Sequence, residues 1–442
     1  MSKKIIVAGA GHGGVAAASL LAKSGLDVTV YDRSKKGNVG YDWTDNFAPG
    51  SLGIAGIDMP PENKFTYKPD MTFYSPDEKS PIRQNIPENE LEINMERTDL
   101  YKHIISHAVK CGVKFVYSCN ILEPILDGGR VKGIKTDKGD FYGDLIIDAA
   151  GVNSPIRTRM PLGSGVENEV GANNQFYVYR AFYDLGDDPG KVEDKYKVYL
   201  LPQGKIGIAW VATEETYSDL LIGRFNPFGE DEIEDSANFH RKSTPTLGTK
   251  VQRGGQLVNI PVRQPLSIMV SDGYAAIGDS AFMTVPIIGS GIANSFKAAK
   301  LLADTVLADI NGAYTADSLW DYQVKFYKEI GSGLAPLACI KNLLTKLEGK
   351  DVDYLFANRV LDENLMNFGS EATSVADIFK NVSASDLIAK VPSLAKNVKL
   401  LVKLSPVVGK IARAMLAVAF IPKHYSRHDV QKWASSYLRI YR

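Results

Sequence analysis

Lys4 to Ala8 is a short apolar run, broken at once by glycines, and Val15 to Ser24 is rich in alanine and leucine. Leu26 to Tyr31 is a second apolar run, closed by Asp32. This order predicts strand, glycine turn, helix and strand. Farther along, Arg97 to Gly112 predicts a helix, and Lys114–Ser118, Arg130–Thr136 and Gly143–Ile147 predict short strands. Gly128-Gly129 and Lys138-Gly139 supply the turns between them. Residues 61–94 are rich in proline and polar residues, with alternation in MTFYS and LEINM. Residues 170–260 carry QFYVYRAFYDL, YKVYLLP, KIGIAWVAT and YSDLLIGRF, which predict an antiparallel sheet with one wet face. Beyond about residue 320 the pattern turns helical, with helices expected to begin near Ser318, Pro336, Leu361 and Ser383. Pro392 and Pro406 are expected as helix starts or breaks, and a last helix is expected from about Asp429 through Trp433.

The opening unit carries chemistry. Gly9, Gly11 and Gly14 form GxGxxG directly after the first strand. Gly9 permits a tight turn, Gly11 lets backbone approach a pyrophosphate, and Gly14 lets the helix sit close to the sheet. The N–H groups of the first helical turn then face negative charge. Asp32, placed to accept ribose hydroxyls, lies 18 positions beyond Gly14, near the expected interval of about 20. His12, inside the loop, is expected to shape the turn or touch the cofactor. The fingerprint predicts a bound dinucleotide and by itself does not separate NAD from FAD.

Three later stretches narrow the choice. Arg97 stands in MERTDLYKHIISHAVKCG, and DLIIDAAGVNSPIR spans Asp144 to Arg157. GYAAIGDSAFMTVPIIGSGIANSFKAAKLLADTV, from Gly273, places Gly278-Asp279, then Pro286, Gly289 and Gly291, before a long helix. With the opening unit, these resemble the large flavoprotein family that includes aromatic hydroxylases, geranylgeranyl reductases and related electron-transfer oxidoreductases. The resemblance covers about two thirds of the chain and implies FAD. It implies that Arg97 reaches the FAD phosphates and that Asp279 hydrogen-bonds the ribityl chain. The Pro286–Gly291 stretch then passes the isoalloxazine ring, and the next helix aims its N–H groups at the flavin edge. A helix N-terminus there stabilises negative charge that develops on reduction, and Gly289 and Gly291 admit backbone rather than side chains. Ser154 and Arg157 match the family's middle segment. Ala150, before Gly151, stands where the family has aspartate, so that aspartate's role toward cofactor and nicotinamide is not carried over.

The expected architecture is α/β: a glutathione-reductase-type FAD-binding Rossmann domain, an antiparallel-sheet substrate domain and a helical C-terminal region. The FAD-binding domain is expected to be discontinuous, from residues 1–60, 95–165 and 260–320. Residues 61–94 and 170–260 are assigned to the substrate domain, and 321–442 to the C-terminal region.

Composition changes little of this. The chain has 442 residues, 45% hydrophobic and 23% charged, with 51 basic and 51 acidic side chains, which argues against disorder and gives no reason to expect a nucleic-acid partner. Cys111, Cys119 and Cys339 form no close metal-binding group, so no metal is expected, and they suit a reducing compartment. MSKKIIVAGAGHGG turns into a glycine loop too soon for a secretory signal, and no stretch is apolar enough to span a bilayer; a cytoplasmic protein is expected. Lys390 to Arg442 holds eleven basic residues against the single acid Asp429. Two readings stay open for that segment: peripheral contact with an anionic membrane, or packing on its own protein.

The reaction is less legible. Aromatic residues of the predicted sheet, including Tyr179, Tyr199 and Trp210, are candidates for a substrate pocket, and equally for the core of the sheet. YLLPQGKIGIAWV resembles the middle region of geranylgeranyl reductases, where proline, glycine and tryptophan surround a channel for an apolar chain. That resemblance implies reduction of a carbon–carbon double bond in a hydrophobic, isoprenoid-like small molecule or lipid, by hydride from flavin N5. The donor would be NAD(P)H, ferredoxin or another flavoprotein. Asp45, in a loop expected to approach the flavin from the substrate side, is the candidate for proton handling or polar anchoring, or else caps the residues from Phe47 onward. The segment lacks the cysteine found in some geranylgeranyl reductases. Three alternatives remain: a flavin monooxygenase hydroxylating an aromatic substrate, an electron-transfer flavoprotein reducing a quinone, and a non-catalytic binding module.

Overall fold

The computed structural model describes residues 2–169, 171, 174–187, 194–369 and 374–442. Strand β1 (Lys4–Ala8), helix α1 (His12–Lys23) and strand β2 (Asp27–Tyr31) open the chain. Then come β3 (Thr44–Phe47), α2 (Gly50–Ile54), β4 (Phe65–Tyr67), β5 (Thr72–Tyr74), β6 (Ile82–Arg83) and β7 (Ile93–Glu96). Helix α3 (Arg97–Lys110) leads to β8 (Lys114–Val116), the meander β9 (Ile121–Asp127), β10 (Arg130–Thr136) and β11 (Gly139–Tyr142), and β12 (Leu145–Asp148).

A six-stranded sheet holds the opening unit. Its order is β18-β19-β12-β1-β2-β8, where β18 is Val270–Ser271 and β19 is Tyr274–Ala276. Pairing is parallel from β19 to β8. Ile5, Ile6, Val7 and Ala8 are all buried, as a central parallel strand covered on both faces requires. The chain leaves β1 toward β2 on one side and returns to β12 on the other, which makes the β1/β12 ends the switch point where ligands of such sheets bind.

The second sheet has the order β17-β13-β16-β15-β14-β5-β6, with β13 (Gln175–Leu185), β14 (Tyr196–Leu200), β15 (Gly207–Thr213), β16 (Ser218–Arg224) and β17 (Leu247–Pro261). It is mixed rather than purely antiparallel, because β14 pairs parallel with β5. The expected wet face is also absent along its central strands. Tyr179, Tyr183, Leu220 and Ile222 pack beneath α4 (Glu230–Ser243) on one face. Val178, Phe182 and Leu221 pack with Trp43 on the other. Segment 61–94 divides between two sheets: β5 and β6 join this one, while β4 and β7 form a three-stranded sheet with β3.

Helices α5 (Ile292–Ala308), α6 (Ala316–Phe326), α7 (Ser332–Leu344), α8 (Gly349–Ala357), α9 (Glu363–Met366), α10 (Val375–Ile378), α11 (Ala384–Lys396), α12 (Val398–Ala419) and α13 (Arg427–Leu438) complete the chain. Pro336, Pro392 and Pro406 lie inside α7, α11 and α12, contrary to their expected place at starts or breaks. For the last two the physical reason is exposure. Ile388 and Val402, the residues four positions earlier whose carbonyls lose a partner, are themselves exposed, so water substitutes for the missing N–H. The final helix is capped by Ser426, with Asp429 in its first turn. Among the described residues no helix is long and apolar enough to cross a membrane, and no group of three acidic, His or Cys residues is placed to hold a metal.

Candidate functional site

The glycine loop turns at the end of β1. Gly9 has φ +95°, and a Cβ there would lie 2.5 Å from the Ala149 carbonyl oxygen, so only glycine fits. Gly11 would meet only Ala149, its carbonyl oxygen at 3.1 Å and its Cβ at 4.0 Å, which leaves its other side open to a ligand. At Gly14 a Cβ would lie 2.5 Å from Ala149 Cβ, the close helix–sheet packing expected of the third glycine. Asp32 secures the loop from the next strand: Oδ2 accepts the Ala10 N–H at 2.8 Å and Oδ1 accepts the Ser34 N–H at 2.7 Å. Each oxygen keeps a lone pair for a ligand hydroxyl.

The other end of the site is built by the β19–α5 connection. Gly278 (φ +64°) and Gly289 (φ +73°) take the left-handed conformation, and nothing crowds the Gly289 Cβ position. Pro286 is buried between them, and Gly291 caps α5. Asp279 accepts a hydrogen bond from Thr284 Oγ1 at 3.0 Å. Burial pushes its carboxyl above the ordinary range, against the Thr284 bond and the charge of Arg97. A Cβ on Gly13 would come within 3.2 Å of Ile277 and Ser295, so α1 and α5 pack closely at their N-terminal ends. Neither helix has a side-chain cap or an acidic residue in its first turn. Two uncapped helix N-termini beside the switch point are suited to a diphosphate and to a group that gains negative charge.

Arg97 and Asp45 meet between these ends because β3 pairs antiparallel with β7, which sets Asp45 opposite Met95 just before α3 begins. Arg97 Nε donates to Asp45 Oδ2 at 2.8 Å, and a second guanidinium nitrogen donates to Oδ1. Burial raises the Asp45 carboxyl, but Arg97's charge and hydrogen bonds outweigh it and hold Asp45 below the ordinary carboxylate range. His12 Nε2 lies 4.0 Å from Asp45 Oδ2, and its ring stacks on Tyr101 at 4.6 Å. Burial pushes His12 down to about 4. Asp45 is thus a buried strand residue rather than the cap of a solvated loop.

Asp148, at the end of β12, organises the opposite wall. It is fully buried and accepts from Ser154 Oγ at 2.6 Å, Tyr274 Oη at 3.0 Å, Ser280 Oγ at 3.1 Å and the Ala150 N–H at 3.1 Å. The Gly151 N–H (φ +89°) donates to Ser280 Oγ at 2.9 Å, which ties this turn to the β19 turn. Arg157 is buried and donates to the Glu167 carbonyl at 2.9 Å. A second clamp joins the sheets: Arg180 donates to the Thr44 carbonyl at 2.7 Å and to Asp219 Oδ2 at 2.6 Å, with Trp210 against its guanidinium at 5.3 Å.

Tyr179, Tyr199 and Trp210 do not line one pocket. Period-two alternation puts Tyr179 under α4, and Tyr199 against His240 and Thr244 of that same face, while Trp210 faces Trp43 and Arg180 on the other. Asp148, Arg180, Asp219 and His240 were not singled out from the sequence. An acid closing the apolar run LIID, and an arginine within YVYRAFY, were the available signals.

Residues 7–69 match the family model described as an NAD(P)-binding Rossmann-like domain. The chain is 21% identical over 418 residues to a digeranylgeranylglycerophospholipid reductase of Sulfolobus acidocaldarius, covering 89% of this chain and 91% of that protein. A geranylgeranyl bacteriochlorophyll reductase-like protein of Thermoplasma acidophilum superposes with a TM-score of 0.71 at 22% identity, over 89% of this chain and 99% of that one. A myxobacterial chondrochloren halogenase, a variant of the FAD-dependent halogenases, superposes with a TM-score of 0.59 at 14% identity, over 99% and 97%. The chain has a Rossmann-like dinucleotide-binding fold, its glycine cradle and uncapped helix ends fit FAD, and along most of its length it is similar to digeranylgeranylglycerophospholipid reductases.

Proposed function

We propose that this enzyme reduces a carbon–carbon double bond in a hydrophobic, isoprenoid-like substrate. The observation that carries the reading is the likeness to a digeranylgeranylglycerophospholipid reductase over 89% of the chain. FAD, once reduced, supplies hydride at N5. Gly9, Gly11 and the first turn of α1 would hold the diphosphate, Asp32 the ribose hydroxyls, and Asp279 the ribityl chain. The uncapped α5 N-terminus would favour negative charge on a flavin bound beside it. Arg97 adds positive charge between the two ends.

Asp45 serves this site as an anchor rather than a proton donor. A carboxylate held ionised by Arg97 has no proton to give near neutral pH. Trp210, with Trp43, supplies an apolar wall against which an alkenyl chain can lie. The electron donor is a reduced nicotinamide or a reduced electron-transfer protein.

The test is anaerobic. Flavin reduced by dithionite is mixed with a geranylgeranyl lipid, and the expected result is flavin reoxidation with a product heavier by two hydrogens per double bond. No reoxidation by the alkene, together with hydroxylation of an aromatic compound when oxygen is admitted, would replace this reading with the monooxygenase one.

A further inference from the structure

Helix α12 is apolar on two sides, and only one of them is used. Leu400, Ala414 and Val418 are buried on its inward face, Leu400 in the core beneath the second sheet and α8, the other two in the main core. On the outward face Val402 is 65% exposed, Val408 69% and Leu416 56%, and Phe420, just past the helix end, is 75% exposed. The spacing of 402, 416 and 420 keeps these side chains on one stripe. Helix α11, the preceding element, also exposes Ile388, at 70%, and Val391, at 57%. An exposed apolar stripe of this kind marks an interaction site.

The charges beside it indicate the partner. Residues 387–428 contain eight Lys and Arg and no Asp or Glu. Lys390 and Lys403 are engaged by Asp362 and Asp351. Lys396, Lys399, Arg413 and Lys423 are exposed and have no acidic partner among the described residues. Two copies of this face brought together would set like charges against each other, which disfavours self-association. Anionic lipid headgroups above an acyl layer satisfy both features at once, because cations meet phosphate while the apolar stripe enters the hydrocarbon boundary.

We propose that the α11–α12 face docks in the plane of an anionic bilayer and holds the enzyme peripherally on it. The proposal stands on the exposed face and its charges, apart from the reaction assigned above.

Sedimentation of the flavin-loaded protein with vesicles tests it, using phosphatidylcholine alone or mixed with phosphatidylglycerol. The expected result is pelleting with the mixed vesicles that weakens as salt rises, and a bound fraction about tenfold lower on pure phosphatidylcholine. Val402→Glu with Leu416→Glu, and separately Lys399→Glu with Arg413→Glu, are each expected to lower binding about tenfold while the flavin spectrum is unchanged. Should the apolar pair lose its flavin, the charge pair and the salt series decide, since Lys399 and Arg413 are exposed and make no side-chain hydrogen bond or ion pair among the described residues. Wild-type protein that stays in the supernatant with mixed vesicles, or a charge pair that binds like wild type, overturns the proposal. So does light scattering that shows a wild-type dimer split by the apolar pair, because a second copy then covers the face.

Discussion

Arg97 Nε donates to Asp45 Oδ2 at 2.8 Å and so fastens the head of α3 to β3. Both side chains are largely out of water, so each depends on the other for its charge. Removing one partner of such a pair leaves an uncompensated buried charge, at a cost of about 3–5 kcal/mol. Asp45→Asn is therefore expected to destabilise the protein by that order in urea denaturation, and to weaken FAD because Arg97 loses its fixed position. A stability loss under about 1 kcal/mol, within the range of a solvated pair, would mean that water reaches Arg97.

The Gly14 contact yields a compensation test. A methyl at residue 14 would strike Ala149 Cβ at 2.5 Å, and also stand 3.0 Å from the Gly9 carbonyl oxygen and Val7 Cγ1. Gly14→Ala is expected to cost about 1–3 kcal/mol by overpacking. Ala149→Gly removes the nearest of the three atoms, so the double variant is expected to recover part of the loss and of the FAD occupancy. Simple additivity of the two single changes would show that α1 shifts instead of clashing.

Among the described residues, the Asp279 carboxylate accepts a side-chain hydrogen bond from Thr284 Oγ1 alone, which leaves it free for the ribityl chain proposed above. A hydrogen bond to a charged group contributes about 1.5–3 kcal/mol. Asp279→Ala is expected to raise the FAD dissociation constant roughly 10- to 100-fold, measured by flavin fluorescence, with little change in folding stability. Unaltered affinity would remove Asp279 from the flavin site.

The sequence was most informative where one local rule decided the structure. Gly9, Gly14 and Asp32 act within a single βαβ unit, and the structure places them as the fingerprint requires. β13 spans Gln175–Leu185, the same run read as a strand from QFYVYRAFYDL. What was not legible depends on partners distant in sequence. β9 contains Pro124 and is tolerated because it lies at the edge of its sheet. Tyr179 and Tyr199 were grouped with Trp210 as aromatics of one sheet, yet the face each shows depends on strand register and on where α4 lands. The Asp45–Arg97 pair spans 52 residues and exists only because β3 pairs with β7.

His240 offers a prediction in pH. It is fully buried against Tyr199, and neither ring nitrogen has a hydrogen-bond partner among the described residues. Burial, aided by the charge of Arg224, pushes it from 6.5 down to about 4. Between those values the unfolded chain binds a proton there and the folded chain does not, so stability rises with pH across the window and is lost as pH falls from 6.5 toward 4. The loss per such histidine is about 3 kcal/mol, and His12, also pushed to about 4, adds a second contribution of the same sign. His240→Phe keeps an aromatic ring beside Tyr199 and deletes one titration. The slope of unfolding free energy against pH in that window is then expected to fall by up to about 1.4 kcal/mol per pH unit, one proton's share, with stability near pH 7 retained or improved because two unpaired nitrogens are gone. An unchanged slope in urea titrations would show that His240 protonates in the folded protein, and that α4 admits water to it.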